Sequence, residues 1–179
     1  ELVDLDKRFI FKNEKGKIEK KLFRNFYVNE ISEYMTNLIE GQYYDLQFLN
    51  INIDIEILYR INSKKTSPLF SLSFILGYLM IIHFKKDFII EYTILEDLKN
   101  LGELFGLIFQ LNDDIIDKKE DEKEGKLLNM AVHLGIKKSK NVFEEKCNEF
   151  CIKLDNLGLL NDNFKEIIIL LKSRISNIN

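Results

Sequence analysis

Residues 109–117 read FQLNDDIID, a stretch that sets three aspartates directly after a long apolar segment. On a helix, Asp113 and Asp117 lie one turn apart on the same face, with Cβ atoms roughly 5–6 Å apart, and Gln110 points the same way. Two carboxylates with no basic partner on that face repel each other, so the pair needs a cation, solvent or a proton. Oxygen ligands with open positions suit Mg²⁺, which keeps several waters and shares its shell with substrate phosphates. The stretch therefore predicts a metal–diphosphate site at the open end of an apolar helix bundle.

The composition is that of a globular protein. The chain has 179 residues, of which 46% are hydrophobic and 31% charged, enough for one domain with a real core. The net charge of −3 gives no broad positive field, so nucleic acid is not an expected partner. Cys147 and Cys151 match neither a redox pair nor a zinc pattern, and no signal peptide is visible. We therefore expect two reduced thiols in a cytoplasmic protein.

The chain has only one proline and eight glycines, so few residues interrupt its secondary structure, which favours long helices. Helical spacing of apolar residues predicts helices over residues 22–48, 53–61, 69–84, 92–116, 132–154 and 164–175. Residues 62–68 are predicted to interrupt the chain between two helices, with Pro68 in the first turn of the next one. A charged loop is expected at 118–126, and an apolar patch followed by a solvated turn or linker at 1–20. No strand-like alternation is sustained, so residues 1–179 are predicted to form a single all-α domain.

The most apolar run, residues 69–84, reads LFSLSFILGYLMIIHF. A membrane-spanning helix needs about 20 apolar residues. We therefore predict a helix that is buried on nearly all sides or lines an apolar cavity, and no stable membrane span. His83, beside Lys85, is expected to have a capping or surface role.

Three short motifs stand in order along the chain. Residues 41–45 read GQYYD, residues 65–66 read KT, and residues 109–117 complete the set. The order GQxxD, KT, FQxxDDxxD resembles the C-terminal half of the trans-isoprenyl diphosphate synthases, the polyprenyl synthetase family. Residues 125–135, GKLLNMAVHLG, look like the glycine–lysine loop of that family and the start of its next helix. The resemblance extends over about residues 25–155.

The resemblance implies an isoprenoid synthase-type helical bundle and a Mg²⁺-dependent prenyltransferase that joins isopentenyl diphosphate to an allylic diphosphate. Asp113 would bind a Mg²⁺ on the allylic diphosphate, while Asp114 and Asp117 would order the metal's waters. Lys65 and Lys126 would contact the same diphosphate. Such charges stabilise a leaving group as its C–O bond ionises.

The resemblance also assigns supporting positions. Gln110 and Thr66 would lie beside the reacting carbon, and Gln42 and Asp45 would position Lys65. If residues 62–68 interrupt the helix, free backbone amides there could also converge on an anion. Family members are usually homodimers, so a homodimer is expected.

The resemblance is incomplete, because no DDxxD stands among the residues before Gly41. The family carries its first aspartate-rich motif, and the basic residues for isopentenyl diphosphate, in that earlier half. We therefore expect a partial bundle that supplies the second motif. The chain begins with Glu1 rather than Met, so we expect a processed, trimmed or partial chain, completed by an upstream half or by another chain.

Three alternatives stay open. The chain could be a non-catalytic subunit of a heteromeric prenyl synthase, a terpene cyclase of related fold, or a plain helical interaction protein. Residues 161–163, NDN, do not have the spacing of the metal-binding triad of a cyclase. The GQxxD and KT motifs also argue against a cyclase. Arg174, near the C-terminus, could reach a diphosphate if the tail folds over the mouth of the site, but a solvated surface arginine is the expectation.

Overall fold

The computed structural model describes residue 4 and residues 6–47, 54–85 and 88–178. Positions 48 and 53, where two helix boundaries were predicted, and most of the apolar patch at the start lie outside the described residues. The helices are α1 (Phe23–Gln47), α2 (Ile55–His83), α3 (Tyr92–Glu124), α4 (Met130–Leu134), α5 (Ile136–Asn156) and α6 (Asp162–Ile175). The strands are β1 (Arg8–Lys12), β2 (Ile18–Leu22) and β3 (Ile89–Glu91). The predicted helical bundle is confirmed, with α2 packed between α1 and α3.

The predicted interruption at residues 62–68 is wrong, because α2 is one continuous helix that contains Pro68. Asp54 caps its start by accepting a hydrogen bond from the backbone N–H of Glu56 at 2.9 Å. Buried residues recur at helical spacing on both sides of the proline, from Leu58 to Ile82. Burial of this stripe outweighs the one intrahelical hydrogen bond that proline removes.

Helices α2 and α3 approach closely because small residues face each other. A Cβ added to Gly102 would lie 2.3 Å from the Cα of Ser71, and one added to Gly106 would lie 2.6 Å from the Cα of Ser67. Each serine hydroxyl donates to the α3 carbonyl three residues before its glycine, at 2.9 Å and 3.1 Å respectively. These contacts fix how α2 and α3 lie against each other, and thus which side chains meet at the site.

The expectation of a turn or linker at residues 1–20 is wrong, because this segment contributes β1 and part of β2. Both strands belong to a three-stranded sheet with the order β2-β1-β3. Strands β1 and β2 form an antiparallel hairpin, and β3 pairs parallel to β1. The hairpin turn is closed by Asn13, whose side chain accepts two backbone N–H groups, and by Gly16 with φ +77°. Phe9 and Phe11 point inward from β1 and are buried, so this segment belongs to the core.

The expectation for His83 is also wrong, since its side chain is buried rather than exposed at the end of α2. Its Nε2 accepts the backbone N–H of Asp4 at 3.0 Å, and its ring packs edge-to-face or tilted against Phe9 and Phe23. Lys7 donates to its backbone carbonyl. The last turn of α2 therefore anchors the sheet.

The loop predicted at 118–126 is mostly helix, because α3 continues to Glu124. Lys118 and Glu122 pair at 2.8 Å across one helical turn. The helix ends at Gly125, whose φ of +71° forms the left-handed C-cap. This extension carries Asp121 onto the helix face of Asp113 and Asp117.

Both cysteines are free, and Cys147 is buried in the core. By length and composition α2 is long and apolar enough to cross a membrane, and 44% of its most apolar 18-residue window is buried in the fold. A core helix passes the same test, so the absence of a stable span stays a prediction.

Candidate functional site

The contact between α1 and α2 is made possible by Gly41. A Cβ at this position would lie 2.4 Å from the carbonyl carbon of Lys64 and 2.4 Å from the nitrogen of Lys65. This approach brings the end of α1 over Lys65, whose Nζ lies 2.9 Å from Oδ2 of Asp45. The amide of Gln42 donates to the backbone carbonyl of Lys65 at 3.4 Å. The structure thus brings Gln42, Asp45 and Lys65 together.

A hydrogen-bonded chain crosses from α2 to α3. The hydroxyl of Thr66 donates to Oε1 of Gln110 at 2.7 Å, and Nε2 of Gln110 donates to Oδ1 of Asp114 at 2.8 Å. Residues 65–66 lie inside a continuous helix, so their backbone amides are not free to converge on an anion, as an interruption would have allowed. Lys65 can therefore contribute only its side chain to an anion.

Asp114 turns into the protein and is only 6% exposed. Its Oδ2 accepts the backbone N–H of Met130 at 2.8 Å and the amide of Asn62 at 3.4 Å. Burial raises the pKa of Asp114 to about 7, while the hydrogen bonds from Met130 and Gln110 act in the opposite direction. Both carboxylate oxygens already accept protein donors. Its role in ordering the waters of a metal stays a prediction, and the observed contacts tie α3 to α2 and α4.

Asp121 is held where the chain turns from α3 into α4. The side chain of Asn129 donates to Oδ2 of Asp121 at 3.0 Å and to the carbonyl of Asp114 at 2.8 Å. Lys126 lies 2.7 Å from Glu124 and 3.1 Å from Asp121, and these hydrogen bonds raise the pKa of Lys126. The ammonium group of Lys126 is therefore held beside the aspartates of α3.

Asp113 has a basic partner, in contrast to the prediction. Arg174 on α6 is exposed at the surface, as expected, but its Nη1 also lies 3.2 Å from Oδ1 of Asp113. Partial burial raises the pKa of Asp113, the Arg174 charge lowers it, and the neighbouring Asp117 raises it. The local chemistry is that of a half-buried carboxylate that benefits from a cation.

Most of these groups line one cavity of about 320 Å³. Seven of the nine predicted site residues line it: Asp45, Lys65, Gln110, Asp113, Asp114, Asp117 and Lys126. Gln42 and Thr66 stand behind this lining, where they contact Lys65 and Gln110. Leu128, Asn129 and Asp121 complete the wall.

The donor set suits a hydrated divalent cation better than a fully caged one. Among the described residues, no group of three or more His, Cys, Asp and Glu side chains is arranged to hold a metal ion. Asp113 and Asp117 offer carboxylate oxygens to the cavity, with room for water and phosphate oxygens. These residues fit Mg²⁺, which usually binds through one or two carboxylates plus waters and a phosphate.

A larger cavity of about 630 Å³ lies between α1, the start of α3 and the hairpin turn. Its wall includes Glu14, Glu30, Glu33 and Glu96, with Lys15 and Lys99 as the cations. None of the nine predicted site residues lines this larger cavity, so the smaller cavity is the candidate site.

Sequence reasoning missed Asp121, Asn129 and Asn62, and it did not foresee the ion pair of Arg174 with Asp113. Asp121 had a signal, because it continues the four-residue spacing of Asp113 and Asp117 if the helix extends. The contacts of Asn62 and Arg174 span 52 and 61 positions in the chain. Local spacing cannot reveal such contacts.

The fold and this site define a class of protein. An isoprenoid synthase family member from Thermotoga neapolitana has a similar structure, with a TM-score of 0.63 and 25% identity over 83% of this chain and 52% of that one. A geranyltransferase from Helicobacter pylori, solved in complex with magnesium and isoprenyl diphosphate, matches with a TM-score of 0.57 and 25% identity over the same shares. The chain therefore has the isoprenoid synthase fold.

Sequence comparison narrows the class to a family. The profile of the polyprenyl synthetase family matches residues 17–132. A farnesyl diphosphate synthase from Micrococcus luteus is 29% identical over 147 residues, which is 76% of this chain and 48% of that protein. The chain belongs to the polyprenyl synthetase family. It spans about half the length of the curated relatives that it matches.

Proposed function

We propose that this chain supplies the allylic-diphosphate half of a prenyltransferase site. The proposed reaction condenses isopentenyl diphosphate with an allylic diphosphate to give a longer trans-prenyl diphosphate, with Mg²⁺ as cofactor. The proposal rests on the family, on relatives that are farnesyl diphosphate synthases, and on the site described above.

One observation carries the proposal: two lysines and two carboxylates that can bind a cation face the same cavity. Lys65 and Lys126 lie on its wall together with Asp113 and Asp117. The carboxylates offer oxygens to a cation, while the lysines offer positive charge to the phosphates. A metal-bound diphosphate offers a partner to both groups: the metal ion binds the carboxylates, and the phosphate oxygens bind the lysines.

The chemistry that follows is ionisation. The allylic C–O bond breaks and the electron pair leaves with the diphosphate, so the carbon fragment becomes an allylic cation. When bound, Mg²⁺ supplies a positive charge that stabilises the leaving diphosphate. Lys65 stabilises the same negative charge, and Asp45 at 2.9 Å holds its ammonium group in place.

The remaining steps make one C–C bond and release one proton. The double bond of isopentenyl diphosphate attacks the cation, and the proton lost from the adduct goes to the departed diphosphate. The side-chain oxygen of Gln110, on the cavity wall, would lie near the reacting end of the substrate, where its dipole stabilises positive charge, and Thr66 holds Gln110 from behind the wall. Their mutual hydrogen bond of 2.7 Å keeps the pair ordered.

We further propose that a second set of groups binds isopentenyl diphosphate and carries the first aspartate-rich motif. Among the described residues, the cations on the cavity wall are Lys65 and Lys126, enough for one diphosphate. The other groups would come from a missing N-terminal half or from another chain. The assembled protein is proposed to be a cytoplasmic homodimer.

The test is a ligand-dependent thermal melt of the purified chain. Mg²⁺ and inorganic diphosphate together are expected to stabilise it, while neither does so alone. At a ligand concentration about 100 times Kd, the gain is about 2.7 kcal/mol. For a chain of this size that corresponds to a rise in Tm of roughly 5–10 °C. Equal melting temperatures with and without the pair would overturn the proposal.

A further inference from the structure

The last turn of α6 is attached to α3 immediately beside the site. The buried side chain of Asn112 donates to the backbone carbonyl of Leu171 at 2.7 Å. Leu171 and Ile175 on the inner face of α6 are 4% and 3% exposed. These contacts place Arg174, three residues after Leu171, over Asp113. Asn112 thus holds the backbone of α6, and the next residue, Asp113, holds the guanidinium group of Arg174.

The two contacts differ in strength. The Asn112–Leu171 hydrogen bond is fully buried, whereas the side chains of Arg174 and Asp113 are 41% and 33% exposed. A partly exposed ion pair contributes little to stability. The backbone of α6 can therefore stay in place while the Arg174 side chain, with several rotatable bonds, exchanges its partner.

We propose that Arg174 is a diphosphate-binding residue that rests on Asp113 when no ligand is bound. This inference depends on the proposed function, because it assigns Asp113 to a metal and the cavity to a diphosphate. Arg174 releases Asp113 as the metal-bound diphosphate arrives and then donates to the phosphate oxygens. Guanidinium groups suit this task because they form paired hydrogen bonds with phosphate.

This exchange has two measurable consequences. In the unliganded site, Arg174 competes with a metal ion for Asp113, so Mg²⁺ alone binds weakly. In the liganded site, Arg174 adds a third cation to Lys65 and Lys126 on the diphosphate. The guanidinium group therefore opposes binding of the free metal and favours binding of the metal–diphosphate complex.

The test is titration of wild type and Arg174→Gln with Mg²⁺ alone, and with inorganic diphosphate at saturating Mg²⁺, both by calorimetry. We expect Arg174→Gln to bind Mg²⁺ alone roughly two- to fivefold more tightly, the effect of removing one exposed ion pair. We expect it to bind diphosphate about tenfold more weakly, the effect of one charged hydrogen-bonding partner. Arg174→Lys should recover part of the diphosphate affinity.

Lys172→Gln is the matched control. Lys172 lies on the same helix and pairs with Glu144 of α5 at 2.5 Å, away from the cavity. It should leave both affinities within twofold of wild type, as measured by the same titrations. Circular dichroism melts of all variants establish that each is folded.

The outcomes separate the two proposals. If wild type binds Mg²⁺–diphosphate but Arg174→Gln changes neither affinity, or weakens both, the role of Arg174 is overturned while the proposed function stands. If wild type binds Mg²⁺ but no diphosphate, the proposed function fails. In that case the role of Arg174 in binding diphosphate fails with it, and the titration with metal alone decides whether Arg174 competes for Asp113.

Discussion

Asp113 and Asp114 are adjacent in the chain yet have opposite environments. The Asp113 side chain is one-third exposed and pairs with the partly exposed Arg174. Asp114 is buried and accepts hydrogen bonds from three donors on α2, α3 and α4. A helix turns consecutive residues about 100° apart, so one can face a cavity while the other faces the core. The two residues should respond differently to substitution.

Asp113→Ala should abolish most ligand binding and leave the fold intact. The ion pair with Arg174 is exposed, so its loss should change the free energy of unfolding by less than about 1 kcal/mol. Loss of the carboxylate should reduce Mg²⁺-dependent diphosphate affinity by at least roughly tenfold and, in the complete enzyme, prenyl transfer by orders of magnitude. Calorimetry, thermal melts and product formation measure the three effects. Asp162→Ala, which removes an exposed pair with Lys165, is the control that should change none of them. Undiminished diphosphate binding by Asp113→Ala would contradict the assignment.

Asp114→Asn should change how stability depends on pH. Because the pKa of Asp114 is raised to about 7, the folded state holds its proton more tightly than the unfolded state. That contribution to stability is complete below about pH 4 and is lost as the pH rises through 7. Relative to Asp114→Asn, wild type should therefore lose up to about 4 kcal/mol across this window. An asparagine can be accommodated if the Asn62 amide rotates, because the buried Oδ1 of Asn62 has no hydrogen-bond partner among the described residues and would then accept the new N–H. Denaturant titrations at pH 4, 5, 6, 7 and 8 measure the difference, and a constant difference would exclude the raised pKa.

At the scale of elements, the contact between α1 and α2 depends on a glycine, Gly41, at the point where the two helices meet. Gly41→Ala would place a Cβ at 2.4 Å from two backbone atoms of α2, which cannot move as a side-chain end can. We expect a loss of about 1–3 kcal/mol in the free energy of unfolding, with weaker diphosphate binding because Asp45 moves away from Lys65. Chemical denaturation and calorimetry measure the two losses.

Gly77→Ala is the matched control in α2. It lies on an exposed face, with nothing within 4 Å of an added Cβ. Helix propensity alone should make this variant more stable by about 0.5–1 kcal/mol. If both alanine variants shift stability in the same direction, the close approach of α1 and α2 would be disproved.

The helices were largely predictable because their apolar periodicity is strong. Local signals misled where long-range packing decided the outcome. Pro68 suggested a break, but the buried stripe of α2 carries the helix through it. The charges at residues 118–126 suggested a loop, but pairs such as Lys118–Glu122 lie at helical spacing. The alternation in β1 covers only Phe9 and Phe11, too short to stand out among its charged neighbours.

At the scale of the whole molecule, the small sheet is part of the core. Phe11 is fully buried and contacts the rings of Phe26 on α1 and Tyr92 on α3. Phe11→Ala should therefore destabilise the entire chain by about 3–5 kcal/mol in one cooperative transition. Ile18→Ala, at a position that is 55% exposed in β2, should cost less than about 1 kcal/mol. Denaturant unfolding followed by circular dichroism compares them. Equal, small losses would mean that the sheet is only attached to the surface of the bundle.

The site was predictable in its residue types and only partly in its contacts. Motif order identified Lys65, Gln110 and Asp113, since these residues recur at characteristic spacings in a known family. Their partners Asn62 and Arg174 come from distant positions, and nothing in their local sequence marks them. The contacts in a site built from three or more helices depend on how those helices pack. Local sequence spacing does not specify that packing completely.

The contact at Gly41 also bears on how mutational libraries of this chain should be interpreted. In the segment GQYYD, the glycine permits two backbones to touch, while the aspartate holds a lysine that faces the cavity. A library randomised at these positions and screened for expression alone would still return glycine at 41. Enrichment there would report foldability, and only enrichment at 45 under selection for turnover would report chemistry.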